Sequence, residues 1–338
     1  MNRFVDGQSP KESSMNVRLF IENAPPFKQV RRRAHQRAEA EIVDGSMSEG
    51  EAAVRHYLEA GLRPAGFHHS DLDPYESSEV RGNVSAARFD TFEYARFLRK
   101  RLGDDFRGAL IPHRIGVYAS ANDHVADVQS LSRYGVKNIV IVGKPHRTAP
   151  ANATYKASVE DVLEQLDASR PSHGCELGAI GIHQRTEEPE RIARKFEAAG
   201  GRRLQVMGQF LDEADTFVEF LGRLAETFEA RGLDLSGLEY NVGLAMFGLE
   251  KRGFYARLIR KESLACEPRF AHLRTRQQRL EESVRMNLEF AEQVRDAGHR
   301  YGVDIGFSVQ PLIEHLPTGR IHPAVGAAVQ LAQQLEQG

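Results

Sequence analysis

The stretch Asn138-Ile139-Val140-Ile141-Val142-Gly143-Lys144 decides the fold class of this chain. Its apolar, β-branched run closed by glycine predicts a strand buried on both faces, which is typical of parallel sheets covered by helices. Residues 123–135 before it have helical spacing and end in glycine, and residues 111–119 are another strand candidate. Together they predict a β-α-β unit. Because parallel α/β folds bind ligands at the carboxyl ends of their strands, Lys144 and the loop after it are expected to face the site.

Composition excludes several classes of protein. The 338 residues suffice for one large α/β domain or two modest ones. Lys and Arg number 45 and Asp and Glu 47, a net charge of -2, so nucleic acid is not expected as a partner. Cys175 and Cys266 form neither a metal-spaced pair nor a disulfide framework, which favours a reducing cytoplasm. No apolar run reaches the ~20 residues of a membrane helix, and residues 1–14 lack the apolar core of a signal peptide. We therefore expect a cytoplasmic protein without a membrane partner.

The β-α alternation continues along the whole chain. Strand candidates occur near residues 17, 65, 111, 138, 176, 204, 238 and 303, with helical segments between them. This alternation predicts a single-domain α/β fold, the (β/α)8 TIM barrel, over residues 17–338 after a polar tail at 1–16. An open doubly wound sheet is the alternative, but no Gly-x-Gly-x-x-Gly fingerprint follows any strand. The charged helical segment 252–301 is interpreted as an elaborated helix that packs on the barrel or forms a homo-oligomer surface.

Two local patterns near the amino terminus carry further predictions. Ser48 followed by Glu51 has the spacing of a capping box, and predicts that a helix begins there, after a separate charged helix at residues 28–43. Residues 64–88 are irregular and favour a long loop, or a short strand at 65–68. His68-His69 and the nearby aspartates match no metal-ligand spacing, so we favour a surface loop over a metal site there.

Residues that follow the predicted strands are the candidate site residues. Glu22 is the most informative, because a carboxylate on a buried strand needs a partner. His113 is expected near the start of the third strand, as a histidine satisfied at the barrel base or as a functional residue. No Ser-His-Asp set, metal motif or P-loop is visible, so hydrolase and kinase functions have no support. The other strand-end residues are Asn23, Ser120, Asn122, Lys144, His183, Gln184, Gln209, Met246, Phe247 and Gln310.

Five short motifs occur in an order that resembles one enzyme family. The first is similar to a Phe-Glu-x-x-Pro-Pro pattern of that family, and the fourth to its Arg-Lys-Val-Asp-Ala-Gly followed by Ile-Thr-Gln-Phe. Over roughly residues 17–312 the chain resembles the methylenetetrahydrofolate reductase family. The motifs are Phe20-Ile21-Glu22-Asn23-Ala24-Pro25-Pro26, Gly135-Val136-Lys137-Asn138-Ile139-Val140, Tyr155-Lys156-Ala157-Ser158, Arg194-Lys195-Phe196-Glu197-Ala198-Ala199-Gly200 with Val206-Met207-Gly208-Gln209-Phe210, and Asn287-Leu288-Glu289-Phe290-Ala291 with Phe307-Ser308-Val309-Gln310.

The resemblance implies a flavoprotein barrel of one-carbon metabolism, serving methionine biosynthesis. It would reduce 5,10-methylenetetrahydrofolate to 5-methyltetrahydrofolate, with NAD(P)H as reductant and FAD as cofactor. Glu22 would protonate the folate N10, and Gln209 would hydrogen-bond the pterin or the nicotinamide. The implied flavin-contacting residues are His113, Tyr155 and Lys195, to which His183 is added from its place after strand five; Phe247 and Gln310 join Gln209 as substrate-binding candidates.

One departure from the family keeps two other functions open. Where the family has Leu-Arg-Gly-Asp after the fourth strand, this chain has Val142-Gly143-Lys144. Lys144 thus occupies the position of a catalytic aspartate and reverses the local field, which weakens stabilisation of a cationic intermediate. The alternatives are a flavin-independent transferase that uses tetrahydrofolate for methyl or one-carbon transfer, and a non-catalytic folate-binding subunit. In each case the expected partner is a small-molecule folate.

Overall fold

Eight parallel strands close into a barrel in chain order. The computed structural model describes residues 18–23, 25, 36–70, 90–143, 155–247, 263–311 and 323–337, with side chains of the first helix from Met47 onward. Each strand pairs in parallel with the next, and the last pairs with the first, which confirms the predicted (β/α)8 barrel. The strands are β1 (Leu19–Glu22), β2 (Gly66–His69), β3 (Ala109–Ile115), β4 (Asn138–Val142), β5 (Glu176–Gly181), β6 (Leu204–Phe210), β7 (Leu238–Ala245) and β8 (Asp304–Gln310).

Helices cover the outer face of the barrel. Capping boxes begin three of them, at Ser120, Ser158 and Thr275, where each hydroxyl accepts from the backbone N–H three residues on. The described helices are α1 (Gln36–Glu59), α2 (Thr91–Leu102), α3 (Ala121–Ser132), α4 (Val159–Ala168), α5 (Arg170–His173), α6 (Glu188–Ala198), α7 (Ala214–Ala230), α8 (Glu267–Phe270), α9 (Arg276–Tyr301) and α10 (Pro323–Gln337). No described helix has the length and apolar character needed to cross a membrane.

The predicted helix start at Ser48 is wrong. Ser48 and Glu51 lie inside α1, which runs without a break from residue 36 to residue 59. The carboxylate of Glu51 instead accepts from Arg55 and Arg101, both at 2.8 Å. Glu51 is therefore a buried carboxylate that joins α1 to α2. Its spacing from Ser48 matches a capping box, but no helix begins at that point.

Two predictions about histidines are corrected by strand positions. The third strand begins at Ala109, two residues earlier than predicted, so His113 is its fifth residue and lies in the carboxyl half rather than at the barrel base. His68 and His69 are buried residues of β2, and the surface-loop interpretation is wrong. The backbone N–H and C=O groups of these residues are hydrogen-bonded to β1 and β3. This pairing stabilises a strand here, although the polar flanking sequence is typical of a loop.

The amino-terminal half of the lumen is filled. Phe20, Ile111, Val140 and Met207 come from four different strands and form one apolar cluster, so they meet inside the barrel. Beneath them, Glu239 ion-pairs with Arg18 and accepts from Gln205 at 3.0 Å and Asn241 at 3.1 Å. The lumen is thus closed from below. We call the apolar cluster together with the polar layer around Glu239 the floor.

Two described helices, α8 and α9, lie in the charged segment 252–301. Residues 252–262 lie outside the described part of the chain, as does the tail at 1–16. α9 packs against α7 and α10, and Arg269 before it donates at 2.8 Å to both Glu282 and Glu289. Residues 267–270 and 276–301 are helical, whereas 263–266 and 271–275 are not. That the segment 252–301 is an elaborated helix, or forms a homo-oligomer surface, stays a prediction.

Candidate functional site

A cluster of polar side chains lies inside the carboxyl half of the barrel. The ring of His68 on β2 stacks on that of His113 on β3, with centroids 5.2 Å apart and planes at 16°. Its Nε2 lies 2.5 Å from Oγ of Ser308 on β8. Because β1 separates β2 from β8 in the barrel, this contact can only cross the lumen. The exposed fractions of the two histidines, 2% and 4%, show that they lie deep in it.

Glu22 stands beside this cluster. Its Cα is paired with that of His68, and paired residues of parallel strands direct their side chains to the same face of the sheet. The carboxylate accepts a hydrogen bond from the hydroxyl of Ser70, just after β2. Glu22 is half-buried at the carboxyl end of β1. A carboxyl group is therefore held next to the histidine pair at the mouth of the lumen.

Two glutamines belong to the same end of the barrel. Gln310 follows Ser308 on the inward face of β8, and a Cβ on Gly243 would lie 2.9 Å from its Nε2, so the amide rests on β7. Gln209 lies at the carboxyl end of β6, where the register with β7 shifts between Met207 and Phe210, and its Oε1 accepts from the backbone N–H of Phe210 at 3.1 Å. The structure thus brings Gln209 and Gln310 to the end of the barrel that holds Glu22.

Burial keeps both lumen histidines neutral. It lowers the pKa of His113 to about 3, and the nearby His69 adds to the effect. Burial also lowers the pKa of His68 well below its ordinary value, with smaller contributions from His113 and His69. Among the described residues, Nδ1 of His68 and Nε2 of His113 have no hydrogen-bond partner. A neutral imidazole has one donor and one acceptor nitrogen, so each ring has a hydrogen bond left to make.

His69 points the other way and fixes the strand that bears Glu22. Its Nδ1 lies 2.8 Å from the carbonyl oxygen of Asn23, and its ring meets the edge of Tyr94 at 5.0 Å. Tyr94 in turn donates to Oδ1 of Asn23 at 2.7 Å. Burial lowers the pKa of His69 to about 4, so this contact is also made by a neutral ring. Residue 23, directly after Glu22, is therefore held from behind the sheet.

Two residues predicted to contact a flavin lie in the outer layer instead. Lys195 on α6 donates to the carbonyl oxygen of Ile180 at 2.7 Å and pairs with the buried carboxylate of Glu188 at 3.3 Å. Burial lowers its pKa. His183 packs its ring against Phe217 and Phe220 of α7, with centroids 5.2 and 6.3 Å away. The structure does not bring either of them to the histidine pair in the lumen.

The remaining predicted residues are dispersed. Phe247 packs between Phe210 and Phe270, at 5.6 and 6.1 Å, and its backbone N–H donates to Ser283. Tyr155 stacks on Tyr118 at 5.8 Å, between the segments that follow β3 and β4. Lys144 lies outside the described residues. Their predicted roles in catalysis or binding stay predictions.

The side chains of the described residues decide which of the predicted groups they can hold. No group of three or more His, Cys, Asp and Glu side chains in this part of the chain could hold a metal ion. Of the four predicted flavin contacts, only His113 lines the lumen, and Lys195 already has two partners. A flavin-binding role for these four residues stays a prediction. The carboxyl half of the lumen is closed from below and lined by neutral hydrogen-bonding side chains, with the carboxyl of Glu22 at its edge. We call this half of the lumen the cup.

His68, Ser70 and Ser308 were not predicted as site residues. His68 contacts His113 and Ser308, and Ser70 contacts Glu22, so each contact joins distant parts of the chain. His68 and Ser308, for example, are 240 residues apart. The one sequence signal that could have found them is alternation on β2 and β8, because it puts His68 and Ser308 on the same inward faces as Glu22 and Gln310.

Comparisons with known proteins reveal likeness in fold. No protein-family model and no curated protein sequence matches this chain. Among solved structures, an uncharacterised protein from Clostridium thermocellum that binds two copies of 5-methyl-5,6,7,8-tetrahydrofolic acid is 16% identical over 95% of each chain, with a TM-score of 0.63. Riboflavin lyase with modified FMN and riboflavin is 10% identical over 88% of this chain and 87% of its own, with a TM-score of 0.53. A long-chain alkane monooxygenase is 12% identical over 95% and 92%, at 0.52. At such identities the likeness establishes the architecture, and the chain is a (β/α)8 barrel protein.

Proposed function

We propose that this chain binds a reduced folate in the carboxyl half of its lumen and acts there as a methylenetetrahydrofolate reductase-like oxidoreductase. The observation that carries the proposal is Glu22, held beside the neutral His68–His113 pair in a lumen closed from below. The Clostridium thermocellum barrel, which binds 5-methyltetrahydrofolic acid, supports a folate ligand. That compound is the product expected from reduction of 5,10-methylenetetrahydrofolate.

Glu22 is the proton donor in this proposal. Opening the five-membered ring of the substrate leaves N10 in need of a proton, which the Glu22 carboxyl can transfer to it. Ser70 orients Glu22 through its hydroxyl, and the amides of Gln209 and Gln310 can align the pterin edge. The filled floor excludes water from below, which strengthens the polar contacts of the bound ligand. A bound flavin would supply the hydride that NAD(P)H provides.

A flavin-independent transferase is the second candidate, and a specific observation favours it. Lys195 and His183, two of the predicted flavin contacts, are engaged in the outer layer. A barrel that keeps Glu22 and the glutamines but lacks those contacts could bind tetrahydrofolate and transfer its one-carbon group without redox chemistry. The same cup serves either reaction, because both act on the pterin end of the ligand.

The purified protein separates these candidates. We expect a flavin absorption spectrum that NADH or NADPH bleaches under anaerobic conditions, and that 5,10-methylenetetrahydrofolate restores. Calorimetric titration with 5-methyltetrahydrofolate is expected to show binding. A colourless protein that binds 5-methyltetrahydrofolate but not FAD would contradict the reductase and favour the transferase. Absence of binding to any reduced folate would contradict both.

A further inference from the structure

A groove in the helical layer lies outside the cup. It is formed by residues of α2 and α3 and of the strand ends beside them, and its volume is about 320 Å³. Its apolar lining residues, Phe92 and Leu131, are both buried. Its other lining residues are Asp90, Glu93, Arg96, Arg114, Asp127 and Ser130. Because charges of both signs lie together, the groove favours a partner of mixed charge over a strongly acidic or strongly basic one.

Two of these charges have no partner within the described part of the chain. The guanidinium of Arg114 donates to Asp90 at 2.7 Å and lies 3.8 Å from Asp127, so these three residues satisfy one another. Glu93 and Arg96 lie one turn apart on α2, yet the described residues give neither side chain an ion pair or a hydrogen bond. These two charges are therefore available to a group outside the chain.

An exposed aromatic ring lies beside them. Tyr134, just after α3, is the large hydrophobic side chain that is exposed among the described residues, at 53%. The guanidinium carbon of Arg96 lies 5.6 Å from the centroid of its ring. Unpaired charges on a surface are commonly solvated, but Tyr and Arg side chains together are enriched where proteins associate. The rim of the groove thus has the composition of a protein interface.

We propose that α2 and this groove form an isologous interface with a second copy of the chain. A two-fold axis across α2 sets the helices of the two copies antiparallel. Glu93 of one copy then faces the partner's Arg96, and its Arg96 faces the partner's Glu93. Opposite charges one turn apart on a helix are self-complementary in this arrangement. The net charge of -2 opposes the association of two copies only weakly.

Charge reversal tests the interface through the oligomeric state of the full-length protein. We expect sedimentation velocity to show a concentration-dependent dimer. Glu93→Arg and Arg96→Glu each place like charges opposite one another at two symmetry-related contacts, and should weaken the dimer about tenfold or more. Glu226→Arg is the matched control, because it makes the same change of charge at an exposed position on α7, outside the groove. It should leave the dissociation constant unchanged.

Exchange of charges separates a direct contact from a loss of structure. An equimolar mixture of the Glu93→Arg and Arg96→Glu chains should form a heterodimer, because one copy is then basic at both positions and the other acidic at both. The double variant Glu93→Arg/Arg96→Glu should recover the homodimer. Thermal unfolding establishes that each variant is folded.

Three results would overturn the proposal. The first is an unsubstituted chain that stays monomeric at every concentration measured. The second is a pair of single variants that dimerise as well as the unsubstituted chain, which would place the interface elsewhere. The third is a pair of folded single variants that are monomeric alone and stay monomeric when mixed.

Discussion

Glu22 is the residue on which the proposed chemistry depends. Its backbone is fixed by strand pairing, Asn23 after it is held by His69 and Tyr94, and its carboxylate is held by Ser70. The strand pairing at residue 22 and the hydrogen bond from Ser70 can also form with a neutral side chain of the same shape. A change of this side chain should therefore affect chemistry far more than stability.

Substitution Glu22→Gln removes the proton and keeps the shape. We expect turnover of 5,10-methylenetetrahydrofolate to fall by about 10²-fold or more, since general acid catalysis contributes that much. Affinity for 5-methyltetrahydrofolate and the melting temperature should change little. Ser70→Ala is the matched control, because it leaves the carboxyl in place and should cost only a few-fold. Full activity in Glu22→Gln would show that another group donates the proton.

His113 makes a prediction about stability and pH. Its folded-state pKa of about 3 lies below the ordinary value of 6.5, so the unfolded chain binds the proton first as pH falls. This contribution is complete above pH 6.5 and is lost towards pH 3, by about 1.4 kcal/mol per pH unit. His113→Phe should reduce the slope of unfolding free energy against pH between 6 and 4. Urea unfolding at several pH values measures it, and an unchanged slope would mean that His113 is protonated in the folded state.

At the scale of elements, α6 is joined to the end of β5 by an ion pair. Glu188 is almost fully buried and pairs with Lys195. The same ammonium group donates to the carbonyl oxygen of Ile180, near the carboxyl end of β5. Arg185 lies 3.6 Å from the same carboxylate. The pair thus closes the outer layer behind the site, and the lysine that resembles a flavin contact is engaged there.

Removing one partner of this pair should be costly. Lys195→Met leaves Glu188 buried with Arg185 as its remaining cation, so we expect a loss of about 3 kcal/mol in the free energy of unfolding. The double variant Lys195→Met/Glu188→Gln should recover much of that loss, because no buried carboxylate is then left without its lysine, and the guanidinium of Arg185 is partly exposed to solvent. Guanidinium unfolding of both variants checks this. A double variant that is no more stable than the single one would argue against the pair.

On the scale of the whole molecule, the barrel separates stability from function. The floor around Glu239 lies at the amino ends of the strands, and the polar cup lies at the carboxyl ends. This division is general in (β/α)8 barrels, where conserved chemistry sits on the carboxyl-terminal face. Changes at either end should therefore have separable effects.

Glu239→Gln tests that separation. The amide can still accept from Gln205 or Asn241, but it loses the ion pair with Arg18. We expect a decrease of about 1–3 kcal/mol in the free energy of unfolding, because a buried hydrogen-bonded charge is removed. Affinity for 5-methyltetrahydrofolate should stay within twofold. A large loss of affinity in a folded variant would mean that the floor shapes the cup.

Sequence patterns predict the fold much better than the site. Buried parallel strands have continuous apolar runs, so β4 is predicted at its observed position. Local patterns fail where tertiary contacts decide, as for Ser48 inside α1 and for His68 on β2. Motif resemblance indicates Glu22 and Gln209, but it cannot show that Lys195 pairs with Glu188. The His68–Ser308 contact is missed because barrel closure creates it, and no local period encodes it.

The filled floor also restricts the order of events. Among the described residues, the lower lumen is occupied by Phe20, Ile111, Val140 and Met207, so a ligand that binds at the histidine pair can arrive and leave only through the mouth. A second reactant that binds above the first blocks its exit. The last molecule to enter must then be the first to depart, which makes ordered or ping-pong kinetics a property of the barrel itself.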